Sequence, residues 1–244
     1  MQATTPILAA EGLHKRFGAL VVLDGVSLSI GEGEALGIVG PNGAGKTTLL
    51  SVLAGAQPPS AGSIRFKDDD VTHLGAPARC RRGLARTHQI PRPFSGMTVF
   101  ENAYVAASQA GGASGDEAYD IATDALAQCD MLKVANRPAE TLGLLARKRL
   151  ELARAVATRP SLLLLDEIGG GLTNAEADDL VGTIRALRRR GVSIVWIEHI
   201  VQVLVQVTER LICMDAGKII ADGTPQAVLA DRNVVEAYLG GAPA

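Results

Sequence analysis

Uncharged, β-rich runs alternate with helix-period patterns along most of this chain, and their order predicts an architecture. From Ile7 to Ile38, short pieces at Leu20 to Leu23, Val26 to Ile30 and Ala35 to Val39 are separated by turns at Gly18, Gly25 and Gly31-Glu32-Gly33. That spacing predicts an antiparallel start running into a buried strand. A glycine-rich loop follows Val39, and TTLLSVLAG then reads as a helix. Gly55 and Pro58-Pro59 stop it, through low helix propensity and a missing backbone donor. Between Arg92 and Arg159 the apolar period is helical in MTVFENAYVAA, DEAYDIATDALAQCDML and ARKRLELARAVA, broken by the Gly/Ser-rich stretch from Gly111 to Gly115. Beyond Pro160 strands and helices alternate: Leu162 to Leu165, helix Ala175 to Arg190, strand Ser193 to Ile197, then a hairpin from Leu211 to Met214 and Lys218 to Asp222. Alternation of this kind implies a largely parallel sheet covered on both faces. The expectation is an α/β core with an α-helical subdomain inserted in it.

Composition narrows the function classes. With 244 residues, 47% of them apolar and 20% charged, the chain can bury one large core. A net charge of -2 gives no bulk electrostatic grip on nucleic acid, so nucleic acid is not an expected partner. The longest uncharged stretch, Thr47 to Ile64, is interrupted by Ser51, Gln57, Pro58, Pro59 and Ser60, short of the ~20 apolar residues of a membrane span. The start, MQATTPILAAEG, has no cationic segment ahead of an apolar run, so a cytoplasmic location is expected. Cys80, Cys129 and Cys213 fit no metal-ligand spacing and read as free thiols.

The chemistry is concentrated at a few positions. Gly40-Pro41-Asn42-Gly43-Ala44-Gly45-Lys46-Thr47 satisfies G-x-x-x-x-G-K-[ST] between a strand and a helix. Such a loop meets a phosphate chain with backbone N–H groups at a helix N-terminus. Lys46 supplies a point charge for the β and γ phosphates, and the Thr47 hydroxyl can ligate the bridging Mg²⁺. The apolar run Leu162 to Leu165 ends in Asp166 and Glu167. Adjacent residues of a strand point oppositely, so Asp166 is expected to orient Mg²⁺ and Glu167 to polarise the water that attacks the γ phosphate. His199 follows the strand SIVWIE and is expected on the same rim, in contact with the γ phosphate. Gln89, where the core gives way to the helical insertion, has a carboxamide suited to Mg²⁺ or the attacking water.

The GPNGAGKTT loop with its Thr48, Gln89, RKRLELARAVATRPSLLLLDE and His199 resemble the ATP-binding subunit of an ABC transporter across nearly the whole chain. The resemblance implies a P-loop ABC ATPase core with a small antiparallel β-subdomain and an inserted helical subdomain: residues 1–91 and 160–244 for the core, 92–159 for the insertion. It implies ATP and Mg²⁺, and gives Phe17 the place of the aromatic that stacks on adenine. It also implies a second ATP-binding subunit closing head to tail on two ATP molecules, and transmembrane permease subunits that hold the chain at the inner face of the cell membrane. FSGMTVFEN, RLELARA and the ending GTPQAVLADRNVVEAYLG look like the ATPases of branched-chain amino-acid uptake systems, which implies a periplasmic solute-binding protein as well. A similar ending occurs in lipopolysaccharide-export ATPases, so an exporter or a non-transport ABC ATPase is the alternative. A P-loop GTPase is disfavoured by the lack of N-K-x-D. The stiff segment from Gln89 through Pro91, Pro93 and Phe94 to Val99, together with the neighbouring helical subdomain, is expected to dock the membrane partner.

One motif departs from the family. Where Leu-Ser-Gly-Gly-Gln stands in the family, this chain has Leu142-Gly143-Leu144-Leu145-Ala146. By the resemblance Gly143 and Leu144 face the partner's ATP, without the serine hydroxyl that clamps its γ phosphate. Ile168 replaces the usual proline after Glu167, and Thr173 stands where Asp is common at the dimer seam.

Overall fold

The computed structural model describes residues 6–239; the leader reading of residues 1–5 and Gly240 of the GTPQAVLADRNVVEAYLG ending lie outside them. Ten strands run β1 Leu8–Phe17, β2 Leu20–Ile30, β3 Ala35–Val39, β4 Ala61–Phe66, β5 Asp69–Asp70, β6 Leu84–Arg86, β7 Leu162–Asp166, β8 Ser193–Ile197, β9 Arg210–Asp215 and β10 Lys218–Gly223. The helices are α1 Lys46–Leu53, α2 Ala76–Arg81, α3 Val99–Val105, α4 Gly115–Gln128, α5 Leu144–Val156, α6 Asn174–Arg189, α7 Val201–Leu204, α8 Pro225–Leu229 and α9 Arg232–Leu239. A six-stranded sheet in the order β10-β9-β3-β8-β7-β6 is parallel except for β10. A second, antiparallel sheet has the order β2-β1-β4-β5. The mixed α/β fold with an antiparallel subdomain and a helical insertion is therefore present.

Strand pleating divides the interior into two cores. Leu36 and Ile38 of β3, Leu162 and Leu164 of β7, and Val195 and Ile197 of β8 pack with α1 and the antiparallel sheet. Their neighbours Val39, Leu163, Leu165, Ile194 and Trp196 face the other way, into a core shared with the inserted helices. Alternation with period two thus joins three layers through one sheet. The uncharged runs visible in the sequence are strands buried on both faces, as a parallel sheet requires.

Two local expectations need correction. Leu20 to Leu23 and Val26 to Ile30 are not separate pieces: β2 runs through Gly25 as one strand whose register against β1 shifts there. Gly25 has φ +74°, so the glycine makes a bulge and not a turn. The helix at MTVFENAYVAA ends at Val105 and continues as a π-helical turn from Ala106 to Ala110. Thr98 and Glu101 cap its start reciprocally.

Arg79 of α2, which sequence patterning did not single out, is fully buried. Its guanidinium donates to the carbonyls of Val52, Leu53, Thr72 and Leu74, so it closes the C-terminal end of α1. Burial lowers its pKa to about 10. The three cysteines are free thiols, and no described helix is long and apolar enough to cross a membrane.

Candidate nucleotide site

Strand β3 delivers the chain to a tight loop that only glycine can follow at two points. Gly40 has φ +143°, and a Cβ there would lie 2.0 Å from the Met214 carbonyl oxygen. Gly45 has φ +99°, with the Val22 carbonyl oxygen 2.7 Å from where its Cβ would be. The loop therefore wraps against β9 and β2 before α1 begins at Lys46, with no side chain capping that helix. Its first-turn N–H groups are left for an anion. Lys46 is buried and donates to the carbonyls of Gly40 at 2.7 Å and Pro41 at 2.9 Å. Desolvation lowers its pKa, against the opposing pull of Glu167 and Asp166. Across the loop, the Gly40 N–H donates to the Tyr238 hydroxyl of α9 at 2.8 Å.

Asp166 closes β7 at 2% exposure. One carboxylate oxygen faces the Thr47 hydroxyl at 3.4 Å, and the other accepts from Arg86 at 2.8 Å. Arg86 also donates to Ser51 of α1 at 2.9 Å, so it ties the acid-bearing strand to the helix behind the loop. Thr47 and Asp166 supply hard oxygen donors side by side, a set that fits a small divalent cation.

Glu167 reaches its place by a different route from the one expected. It lies beyond the strand, at φ +47°, with its N–H donating to the Ile197 carbonyl at 2.9 Å. A turn into left-handed backbone, and not strand alternation, separates the two acids. A non-glycine residue held there costs roughly 1–3 kcal/mol, a strain typical of functional turns. Its carboxylate is bracketed: the Gln89 amide donates at 2.5 Å, and His199 Nε2 lies 2.8 Å from the other oxygen. Gln89 therefore meets Glu167 and not the Thr47–Asp166 pair.

The remaining predicted residues lie further out. Phe17, 46% exposed, ends β1 with the Lys15 ammonium 5.0 Å from its ring centroid. Gly143 is the N-cap of α5 and makes no side-chain cap, while Leu144 is 47% exposed beside Gly171. Thr173 caps α6 reciprocally with Glu176, which gives that substitution a local structural use. Ile168 is buried in the core. Sequence reading missed Arg86, because a three-residue strand is too short to show a period. It also missed Glu151 of α5, a buried acid that holds His88 at 2.9 Å and Arg154 at 3.0 Å. Both sit at a groove of about 340 Å³ between core and insertion, with Phe94 on its wall.

A glycine loop opening a helix, a lysine in the loop and an acid at the end of a neighbouring core strand define a phosphate-loop nucleotide-binding protein. Residues 23–169 match the family model for the ABC transporter, and residues 218–244 match one for the branched-chain amino acid ATP-binding cassette transporter. The chain belongs to the ABC transporter family, as an ATP-hydrolysing subunit of a transporter. It is 36% identical to the high-affinity branched-chain amino acid transport ATP-binding protein BraF of Pseudomonas aeruginosa, over 96% of this chain and 98% of the relative. It is 33% identical to the lipopolysaccharide export system ATP-binding protein LptB of Escherichia coli, over 96% and 97%. The crystal structure of the ADP conformation of MJ1267, an ATP-binding cassette of an ABC transporter, superposes with a TM-score of 0.86 at 30% identity, covering 97% of this chain and all of that one.

Proposed function

We propose that this subunit spends Mg·ATP to drive uptake of branched-chain amino acids or similar small polar solutes. Its partners in this reading are transmembrane permease subunits, a second ATP-binding subunit and a periplasmic solute-binding protein, with the chain bound at the cytoplasmic face of the membrane. The observation that carries the ATPase mechanism is the bracketing of Glu167 by Gln89 and His199. Lys46 and the N–H groups of the loop bind the phosphates. Thr47 and Asp166 would hold Mg²⁺, which would supply positive charge against the phosphates. Glu167 takes a proton from the attacking water, whose oxygen bonds to the γ phosphorus while ADP leaves. Gln89 and His199 fix the orientation of Glu167, and in this reading His199 also takes the γ-phosphate contact. Phe17 takes the adenine face.

Coupling to the permease follows from what adjoins Gln89. The groove walled by Arg86, His88, Phe94 and Arg154 is largely apolar and opens beside the segment that carries Gln89. Arg154 stacks 4.5 Å over the Phe94 ring, which keeps that ring on the groove wall. A permease helix seated there would push on both Gln89 and the Arg86–Asp166 pair. The import reading is supported by the match of the C-terminal segment to the branched-chain model and by the likeness to BraF. Purifying the chain with its native membrane partners tests it: two permease subunits and a solute-binding protein support uptake, and lipopolysaccharide-export components overturn it. Phe94→Asp is expected to retain ATP binding while reducing recovery of the permease by ~10-fold, the cost of burying a carboxylate in an apolar contact. Undiminished recovery would reject the groove as the docking site.

A further inference from the structure

The loop after Glu167 reads Ile168-Gly169-Gly170-Gly171, and three consecutive glycines cannot hold a strained residue in place by their own side chains. Its backbone is tied by Gly170 N–H to the Glu167 carbonyl at 3.2 Å and by Leu172 N–H to the Gly169 carbonyl at 3.3 Å, both internal to the loop. Beyond the Glu167 N–H bond to the Ile197 carbonyl, which holds the start of the turn, the tie from outside is a side chain. Gly169 N–H donates to Glu198 Oε1 at 2.5 Å, and the same oxygen accepts from the Trp196 indole at 3.2 Å. Glu198 is 2% exposed and Trp196 fully buried. A Cβ on residue 169 would lie 2.8 Å from Glu198 Oε1, so the carboxyl and the glycine require one another.

The surroundings give this contact a direction. Glu198 directly follows β8 and precedes His199, which itself touches Glu167. Burial, with the Glu167 charge adding to it, raises the Glu198 carboxyl above the usual carboxylate range, against the Gly169 N–H, the indole and the Lys148 ammonium. Lys148 comes from α5, is 4% exposed, and makes no ion pair within 4 Å among the described residues. It lines the same small cavity as Gln89 and Glu167. The helical insertion therefore presents a buried cation toward the two glutamates that flank the glycine loop.

We infer that Glu198 is a positioning residue for the hydrolytic step: it holds the backbone of the loop that carries Glu167 and leaves ATP binding to the Lys46 loop. This inference rests on the reading of Glu167 as the residue that polarises water. Trp196 is the chain's only tryptophan, and its indole shares the oxygen that holds Gly169, so its emission reports the contact.

The test compares turnover and ATP affinity on the assembled transporter and tryptophan emission on this chain by itself. Glu198→Ala is expected to lower kcat about ten-fold with ATP Kd within about two-fold, and to shift Trp196 emission. Glu198→Gln keeps an acceptor oxygen and is expected to recover most of the turnover. Gly169→Ala attacks the contact from the loop side and is expected to lower kcat in the same way. Combining it with Glu198→Ala makes room for the new methyl, so the double variant is expected to lose less than the two single losses multiplied. Normal kcat in both single variants, or strictly multiplicative losses in the double variant, overturns the inference. So does a fall in ATP affinity that matches the fall in kcat, because that is a general structural defect. Glu167→Gln run alongside separates the two readings: if it retains turnover, the assignment of Glu167 fails; if it is inactive while Glu198→Ala is normal, only the role of Glu198 fails.

Discussion

The starts of α1 and α5 offer the same physical device, backbone N–H groups at a helix N-terminus, and the chain equips them very differently. At α1 glycines at 40, 43 and 45 let the backbone curl, Lys46 adds a charge, Thr47 adds a hydroxyl, and Asp166 stands 3.4 Å from that hydroxyl. At α5 Gly143 caps without a side-chain bond, Leu144 is 47% exposed, and Leu145 and Ala146 add neither hydroxyl nor charge. The first helix end can bind phosphate tightly and assist its transfer; the second can offer only backbone dipoles. In a head-to-tail pair the first acts on this chain's own ATP and the second on the partner's. We propose that this chain works in an asymmetric pair, in which it retains the machinery for its own nucleotide and lends a weakened surface across the seam.

The largest expected effects are at the equipped end. Glu167→Gln is expected to keep ATP binding and lower turnover of this chain's site by ~10²-fold or more, because shape survives and the base does not. Lys46→Ala is expected to weaken binding itself by a comparable factor, since it removes the phosphate counter-charge. Steady-state turnover and a nucleotide titration read the two apart, and unchanged values in either assay would break the comparison. A smaller gain is expected at the weakened end. Gly143→Ser, which restores a hydroxyl at the N-cap of α5, is expected to raise turnover at the partner's site on the order of ten-fold, part of what one transition-state donor contributes. No gain would mean that the backbone donors already suffice there. Smallest is Tyr238→Phe, which strips the acceptor from the Gly40 N–H. Losing one neutral hydrogen bond of about 1 kcal/mol is expected to weaken ATP binding about five-fold without touching kcat.

The same contrast explains what was legible in the sequence. The phosphate loop could be read because its function fixes spacing within eight consecutive residues, and β3, β7 and β8 because burial on both faces leaves uncharged runs. Gly25 misled because a glycine in a β-rich stretch marks a bulge as readily as a turn, and only pairing with β1 decides which. The left-handed turn at Glu167 leaves no mark in the sequence, because a carboxylate residue carries no signal for positive φ and the bonds around the turn come from the distant Ile197 and Glu198. Arg86, Glu151 and Glu198 act through partners 80, 63 and 29 residues away, so no local pattern marks them. What the sequence shows best is chemistry concentrated in one segment; what it hides are the long-range ties that orient it.

The most direct test of the asymmetry is a paired substitution in the reconstituted transporter, with this chain beside its partner ATPase. Glu167→Gln is made in one preparation and the equivalent glutamate of the partner is changed in another, and ATP hydrolysis is measured in both. If this chain's site draws an intact signature from the partner while lending Gly143 to Ala146 in return, Glu167→Gln abolishes most of the activity and the partner's substitution removes little. The expected difference follows the loss of one phosphate donor at the partner's site, on the order of 3 kcal/mol in transition-state stabilisation. Equal losses from the two substitutions would contradict the account, because both sites would then turn over and the Gly-Leu-Leu-Ala sequence would be no handicap.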